Sequence, residues 1–164
     1  APVHDYGRWK AAAEAYVRNR YPAAAVIRAS LITCFDPPDP RTRWVLGGLR
    51  GETSVALFTD ELRSPILADD LARQIWEIAR LDASRRSGVW NLAGPEALSR
   101  YALGTLIAAA HGFDPAALVP ASSREATEPR PRDLRLLTRR ADRELLTRAS
   151  PLSVAAAALA ARRS

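Results

Sequence analysis

Three short apolar segments constrain the fold of this chain more than any other feature of its sequence. They are AAAVIRAS at 23–30, SVALF at 54–58 and SGVWNLAG at 87–94. All three are predicted to be strands, and AAAVIRAS in particular is apolar and β-branched without a helical polar face, which is typical of a buried strand. Helical patterns separate the three segments, and strands that alternate with helices usually pair in parallel. The sequence therefore predicts an α/β fold with parallel strand pairing.

The most regular helical pattern is DDLARQIWEIARL at 69–81. Its apolar side chains Leu71, Ile75 and Ile78 recur at helical spacing, so they are predicted to lie on one buried face. Aspartate is a favoured N-cap residue, and the pair of aspartates at the start of the pattern is predicted to cap this helix.

Residues that begin and end helices define the other elements. Ser99 predicts the N-cap of a helix at 100–111, and Gly112 predicts its end. Three prolines in FDPPDP, at 35–40, exclude regular pairing and predict an irregular loop. Further helices are predicted at 5–19, around 41–50 with an end at Gly47, Gly48 and Gly51, at about 139–146 and at 151–162.

Composition indicates a single globular domain. A chain of 164 residues with 48% hydrophobic residues can form a core. Cys34 is the single cysteine, and His4 and His111 are too far apart in the sequence for metal-ligand spacing. We therefore expect no disulfide, no metal and a reducing cytoplasm. Because no apolar run approaches the roughly 20 residues that span a bilayer, and no signal-peptide pattern is present, we expect neither membrane insertion nor export.

The chain is basic, with a formal net charge of +6. Such a charge is compatible with a nucleic-acid partner. However, the arginines are scattered among acidic residues, and no zinc-finger or RNA-binding motif accompanies them. We therefore expect no nucleic-acid partner, whereas a smaller anion such as a pyrophosphate would require only a few of the arginines.

A tyrosine and the only lysine share one face of the first predicted helix. Lys10 is the single lysine among 24 lysine and arginine residues, which suggests a role that requires a compact ammonium group. Tyr6 precedes it by four residues, and residues i and i+4 are neighbours on a helix surface. A nearby positive charge favours the phenolate, so the pair could act as a tuned proton donor. The alternative is an amphipathic helix in which the pairing is incidental.

Several segments, in the same order, resemble the extended short-chain dehydrogenases/reductases of the dTDP-4-dehydrorhamnose reductase type. YGRWKAAAE at 6–14 is similar to the catalytic helix of that family, and VIRAS at 26–30 to its strand that ends in an Arg-Thr-Ser-like sequence. DELRSPILADDLA at 60–72, WNLAGPEALSRYALGTLI at 90–107 and RPRDLRLLTRRADRELL at 130–146 resemble its substrate-region elements.

The resemblance implies that the chain corresponds to the C-terminal half of such an enzyme. In that family a Gly-rich dinucleotide motif precedes the Tyr-Lys helix. GGLRG at 47–51 is no substitute, because phosphate binding requires a strand, then a Gly-rich turn, then a helix. Residues 1–60 would complete a Rossmann-like sheet, and 61–164 would form a small α/β substrate-binding region. We expect this polypeptide alone to lack reductase activity and to bind NADPH very weakly. We also expect it to associate through exposed sheet edges, for example as a homodimer.

The chemistry that the resemblance implies is hydride transfer from NADP or NAD to a keto sugar attached to a nucleoside diphosphate. Tyr6 would protonate the incipient alkoxide, and Lys10 would hydrogen-bond the nicotinamide ribose. Ala29 and Ser30 would also lie beside the cofactor. Where the family has an aromatic residue after Arg-Thr-Ser, this chain has Leu31, so the identity of the sugar stays open.

The resemblance also implies three substrate-binding residues. Arg63 falls where related sugar epimerases carry an arginine that meets the nucleotide pyrophosphate, and a guanidinium suits that role by bidentate hydrogen bonding. Arg130 and Asp133 match a nucleotide-contacting loop of the family.

Two other functions are compatible with the same residues. One is a nucleotide-sugar epimerase or dehydratase of the same superfamily, and the other is a non-catalytic subunit that binds a sugar nucleotide or regulates a partner. Four further residues are interpreted as helix caps and core, not as catalytic groups: Asp69, Asp70, Trp90 and Glu96.

Overall fold

The computed structural model describes residues 5–125 and 131–163, in which helices and short strands are interspersed along the chain. The helices are α1 (Asp5–Arg20), α2 (Pro40–Leu49), α3 (Ala68–Ala79), α4 (Ala83–Arg86), α5 (Arg100–Ala110), α6 (Arg139–Glu144) and α7 (Leu152–Arg163). The strands are β1 (Ala25–Ala29), β2 (Ile32–Thr33), β3 (Ala56–Phe58), β4 (Leu62–Arg63), β5 (Ile66–Leu67), β6 (Gly88–Leu92), β7 (Leu98–Ser99) and β8 (Val119–Ala121). The predicted α/β class is confirmed.

The strands pair two by two across long stretches of sequence. Strands β1 and β6 form the longest pair, which is parallel and runs from Ala25 opposite Gly88 to Ala29 opposite Leu92. The pairs β2 with β5 and β3 with β8 are also parallel. The pair of β4 with β7 is antiparallel and was not predicted. The predicted strand at 54–58 pairs as β3 with β8, not with the other two predicted strands.

Helix α3 corrects two details of the prediction. It begins at Ala68 with Leu67 as its N-cap, so the expected aspartate cap is wrong. Asp70 lies in the first turn instead, where a carboxylate interacts favourably with the helix dipole. Leu71 and Ile78 are buried as predicted, but Ile75 is 40% exposed because it lies at the edge of the apolar face.

Other helix ends agree with the sequence more closely. The Ser99 hydroxyl accepts a hydrogen bond from the Ala102 amide at 3.0 Å, which caps α5. Gly112 follows that helix with a φ of +76°, a conformation that favours glycine. Helix α2 continues through its two glycines to Leu49, so the predicted end at Gly47 and Gly48 is too early.

Two apolar clusters form the core. The first joins α2, β3, α5 and α7, and its largest members are Phe35, Val45, Leu46, Leu57, Leu103, Ile107, Leu118, Leu152 and Leu159. The second joins α3, β6 and α6, and contains Ile66, Leu71, Ile78, Trp90, Leu92, Ala141 and Leu145. Because the first cluster mixes residues from both sides of position 60, the two predicted regions are interleaved. The division at that position stays a prediction.

The residues interpreted as core and caps have structural roles. Trp90 is fully buried, and its indole N–H donates to the Arg86 carbonyl at 2.8 Å. The Glu96 carboxylate accepts from the Ser153 amide at 3.0 Å, at the start of α7. Within the described ranges, no helix is long and apolar enough to cross a membrane. In the same ranges, no cluster of three or more His, Cys, Asp or Glu side chains could hold a metal ion.

Candidate active site

Helix α1 brings Tyr6 and Lys10 together. The Lys10 ammonium nitrogen lies 5.7 Å from the centroid of the Tyr6 ring, within the range of a cation–π interaction. The i, i+4 spacing produces this contact, and a run of alanines after Lys10 favours the helix. Tyr6 is 63% exposed, so the phenol is accessible on the surface of the described chain.

A groove lies between α1 and β1. Tyr6 and Lys10 line it from the helix, and the whole of β1, from Ala25 to Ala29, lines it from the strand. The carboxyl ends of parallel strands are where open α/β sheets bind ligands. The structure thus places the predicted catalytic pair and one of the predicted cofactor residues in the same groove.

An ion pair that the sequence reasoning missed fixes α1 to the strand. Arg28 donates to both carboxylate oxygens of Glu14, from Nε at 2.8 Å and from Nη2 at 2.7 Å. These hydrogen bonds lower the pKa of the Glu14 carboxyl, although partial burial opposes them. Glu14 follows Lys10 by four residues, so Tyr6, Lys10 and Glu14 share one helix face. This spacing of four residues could have indicated from the sequence that Glu14 lies on the same helix face as Tyr6 and Lys10.

Ser30 comes directly after β1. Its amide donates to the Leu92 carbonyl at 2.9 Å, which continues the β1–β6 pairing by one residue. Its hydroxyl oxygen is buried and has no hydrogen-bond partner among the residues that the structure describes. Buried polar groups normally have a partner, so this hydroxyl is available to a ligand or a water molecule. Ala29, the other residue predicted beside the cofactor, is exposed.

Arg63 lies in β4 and is only 9% exposed. Its guanidinium donates to the Leu62 carbonyl at 2.8 Å and to the Pro131 carbonyl at 3.3 Å. It also donates to the Glu61 carboxylate at 3.3 Å. These contacts hold the guanidinium in a defined position, which favours specific recognition of an anion.

Glu61 is the centre of an arginine cluster, which consists of Arg41, Arg63 and Arg100 around this fully buried carboxylate. Arg100 Nε contacts the same Glu61 oxygen as Arg63, at 3.4 Å. Burial lowers the pKa of Arg41, and the charges of Arg100 and Arg63 lower it further, while Asp39 and Glu61 oppose them. The cluster therefore holds more positive than negative charge.

The antiparallel pairing of β4 with β7 explains why Arg100 reaches this cluster. Leu62 is opposite Ser99, so Glu61 and Arg100 are the next residues along the two chains. Sequence reasoning identified Arg63 and missed the other three residues. Glu61 lies two positions before Arg63, on the same side of an extended chain, and that spacing was a usable signal.

Asp133 lies on a loop that runs beside β4. Leu62 forms an isolated bridge with Asp133, and the Leu134 amide donates to the Leu62 carbonyl at 3.1 Å. Arg135 hydrogen-bonds the Asp133 carboxylate and lowers its pKa to about 2. The structure thus brings Asp133 near Arg63, and pairs its carboxylate with Arg135. Arg130 lies outside the described residues.

The sequence matches a known protein family along nearly its whole length. The model of the family described as RmlD substrate binding domain matches residues 1–163. A curated relative, the probable low-salt glycan biosynthesis reductase Agl14 of Haloferax volcanii, is 32% identical over 139 residues. That alignment covers 79% of this chain and 45% of the relative, so the chain spans less than half of the relative's length.

Solved structures share the fold at low sequence identity. The dTDP-4-dehydrorhamnose reductase of Bacillus anthracis, in complex with NADP, is 14% identical with a TM-score of 0.81, covering 100% of this chain and 57% of that one. The UDP-glucuronic acid 4-epimerase of Bacillus cereus, in complex with UDP-glucuronic acid and NAD, is 16% identical with a TM-score of 0.75. That match covers 98% of this chain and 52% of the epimerase.

Proposed function

This chain belongs to the RmlD substrate binding domain family, and we propose that it forms the catalytic helix and substrate-binding part of an NAD(P)-dependent reductase of a nucleotide-linked 4-keto sugar. The observation that carries the proposal is the pairing of Tyr6 with Lys10 in the groove between α1 and β1. A phenol and an ammonium group occur there together, and Ser30, whose buried hydroxyl has no partner in the described ranges, follows the last residue of the strand. Such a groove can position a carbonyl group for protonation.

Each residue of the groove has a separate task in the proposed reaction. Tyr6 protonates the oxygen of the keto group as it becomes an alkoxide. Lys10 would donate to a ribose hydroxyl of the cofactor, a role that a compact ammonium group suits. The Ser30 hydroxyl provides a further hydrogen-bonding group for the cofactor. When bound, NADP or NAD supplies the hydride.

The pair of Glu14 with Arg28 positions the helix that carries the acid. Because Arg28 Nε and Nη2 both contact the Glu14 carboxylate, the pair links the helix face that carries Tyr6 to β1. In this proposal Arg63 binds the diphosphate of the substrate, and the loop with Asp133 contacts its nucleotide. We place residues 1–60 with the cofactor-binding part and 61–164 with the substrate-binding part.

The test joins this chain to the cofactor-binding half of a related reductase, by co-expression or fusion. NADPH oxidation is followed with a dTDP-linked 4-keto sugar, and the chain alone serves as the inactive baseline. Tyr6→Phe should reduce turnover by about 10² to 10⁴, the usual contribution of general acid catalysis. Binding of the sugar nucleotide should be nearly unchanged, because only the transferable proton is lost.

The matched control is Tyr16→Phe, which removes a hydroxyl from an exposed tyrosine of the same helix. It should turn over at the rate of the unmodified chain. If Tyr6→Phe is equally active, the proton donor is elsewhere. If sugar nucleotide binds but no assembly of the chain turns it over, a non-catalytic binding subunit replaces the reductase. A sugar-nucleotide product that has one inverted stereocentre and no net reduction would instead identify an epimerase.

A further inference from the structure

Arg100 has a buried donor without a partner. Its Nε contacts the Glu61 carboxylate, but its Nη1 is buried and makes no hydrogen bond with any residue in the described ranges. Buried charged donors in native proteins are normally satisfied, by the protein or by a bound molecule. An anionic oxygen is the group that a guanidinium recognises best. The unsatisfied nitrogen therefore points to an anionic ligand.

We propose that Arg100 is a second guanidinium for the diphosphate of the substrate, held beside Arg63 by the carboxylate of Glu61. This inference rests on the proposed function, because it assigns a further residue to the same substrate. Arg100 Nε and Arg63 Nη2 contact one and the same oxygen, Glu61 Oε2, at 3.4 and 3.3 Å. The two guanidinium groups therefore lie side by side, as two arginines that share a diphosphate must.

The charge of the cluster favours a polyanion. Arg41, Arg63 and Arg100 surround Glu61, and of the other nearby acids Asp39 offsets only part of their positive charge. The Asp39 carboxylate already accepts hydrogen bonds from the start of α2 and from the Cys34 amide. Asp133 is paired with Arg135. A diphosphate supplies more than one negative charge and several oxygens, so it can meet two guanidinium groups at once.

Glu61 acts as a positioning residue in this proposal. It is fully buried and touches no surface from which a ligand could approach, but it fixes the orientation of both guanidinium groups. The Arg100 side chain is 16% exposed and the Arg63 side chain 11%, so a small part of each reaches the surface.

The experiment measures binding of thymidine diphosphate, thymidine and inorganic pyrophosphate to the full chain by calorimetry. The unmodified chain should bind thymidine diphosphate and pyrophosphate more tightly than thymidine. Arg100→Gln should weaken binding of thymidine diphosphate by about tenfold to a hundredfold, the effect of one charge-assisted hydrogen bond. Arg63→Gln should have an effect of similar size, and neither variant should change the binding of thymidine.

Two further variants separate binding from folding. Arg80→Gln removes an exposed arginine of α3 and should bind like the unmodified chain, which controls for net charge. Arg100→Lys keeps the charge next to Glu61 if Arg100→Gln does not fold. The Arg100→Lys variant should fold and still bind thymidine diphosphate more weakly than the unmodified chain. The planar guanidinium of arginine can donate to Glu61 and to a phosphate at once, whereas an ammonium group cannot do so in the same geometry.

The outcomes distinguish this inference from the proposed function. If Arg63→Gln weakens binding but the folded Arg100 variant binds like the unmodified chain, the role of Arg100 is overturned and the proposed function stands. Pyrophosphate binding that depends on Arg100, with no tighter binding of thymidine diphosphate than of pyrophosphate, would support the anion site. The same result would contradict a nucleotide-linked substrate. If neither phosphate compound binds, both proposals fail.

Discussion

Helix α1 and the arginine cluster are held in the fold in opposite ways. None of the side chains of α1 is buried, and its clearest link to the rest of the chain is the Glu14–Arg28 pair. Glu61, by contrast, is fully buried between residues of β4 and α5, and Arg63 is nearly so. The proposed proton donor thus lies on a weakly packed helix, whereas the proposed anion-binding groups lie on the packed part of the molecule.

This difference indicates which part of the site can form within the chain itself. Burial and hydrogen bonding fix the arginine cluster, so its geometry depends little on other molecules. Helix α1 exposes Tyr6, Trp9 and Tyr16, and large exposed aromatic side chains are typical of surfaces that pack against another protein segment. Association through this helix or the neighbouring strand edge stays a prediction.

The largest predicted effect is a loss of turnover caused by a substitution in the weakly packed helix α1. Lys10→Arg, in the chain joined to a cofactor-binding half, should lower turnover by about 10² to 10⁴, because a planar guanidinium cannot take the place of the compact ammonium beside Tyr6. Thermal unfolding should not change, since Lys10 is exposed. Arg8→Lys, the reverse exchange on the same helix, is the control. A Lys10→Arg protein with full activity would show that charge alone suffices.

The second prediction concerns a loss of stability in the packed part of the molecule, where β6 ends beside the Pro65 segment. A Cβ atom on Gly94 would lie 1.9 Å from the Pro65 carbonyl oxygen, a backbone atom next to β5. Gly94→Ala should therefore lower the free energy of unfolding by about 3 kcal/mol, at the upper end of typical overpacking. Denaturant unfolding measures the loss.

The control for this variant is Gly51→Ala. Gly51 has a φ of +75° and no atom within 4 Å of the added Cβ, so only backbone strain opposes alanine there. That strain should cost about 1 kcal/mol. Equal losses in the two variants would show that β6 and the Pro65 segment are less closely packed than the structure indicates.

The smallest effect concerns the link between the two regions. Glu14→Gln removes a carboxylate whose folded pKa is lowered, first by the hydrogen bond from Arg28. Its stabilising contribution is present above the unfolded pKa of about 4.3 and is lost as the pH falls through the lower folded value. Amides of α1 should therefore exchange about two- to fivefold faster in the variant at pH 7, as expected for a partly exposed ion pair.

The same measurement at lower pH completes the comparison. The exchange rate of the α1 amides in the unmodified chain should approach the rate in Glu14→Gln as the Glu14 carboxyl becomes protonated. The amides of the core should remain protected. Glu52→Gln, at an exposed pair with Arg50, should leave α1 unchanged. Equal protection of α1 in both proteins at pH 7 would mean that other contacts hold the helix.

The sequence predicts the long elements well because each carries many turns or residues of a regular pattern. Helices α1 and α5, the Ser99 cap and the strands β1 and β6 belong to this class. Strands of two residues, such as β4 and β7, have no measurable period, so their antiparallel pairing could not be predicted. These short strands exist only because the rest of the fold brings them together.

The same reasoning explains which site residues were found. The contact of Tyr6 with Lys10 depends on local helix geometry, and the spacing alone predicted it. The contact of Glu61 with Arg100 joins residues 39 positions apart and depends on the register of β4 with β7. Arg100 therefore read as an ordinary residue at the start of a helix, although it lies in the proposed diphosphate site.

The pairing of distant strands also determines when this polypeptide can fold during its synthesis. Strand β1 must wait for β6, and β3 must wait for β8, whose last residue is Ala121. The first core cluster further requires α7, the last helix of the chain. A nascent chain that has left the ribosome only as far as α5 therefore exposes β3 and one face of α5 without their partners. Chaperones that bind apolar segments should recognise the chain at that stage and release it once α7 has emerged.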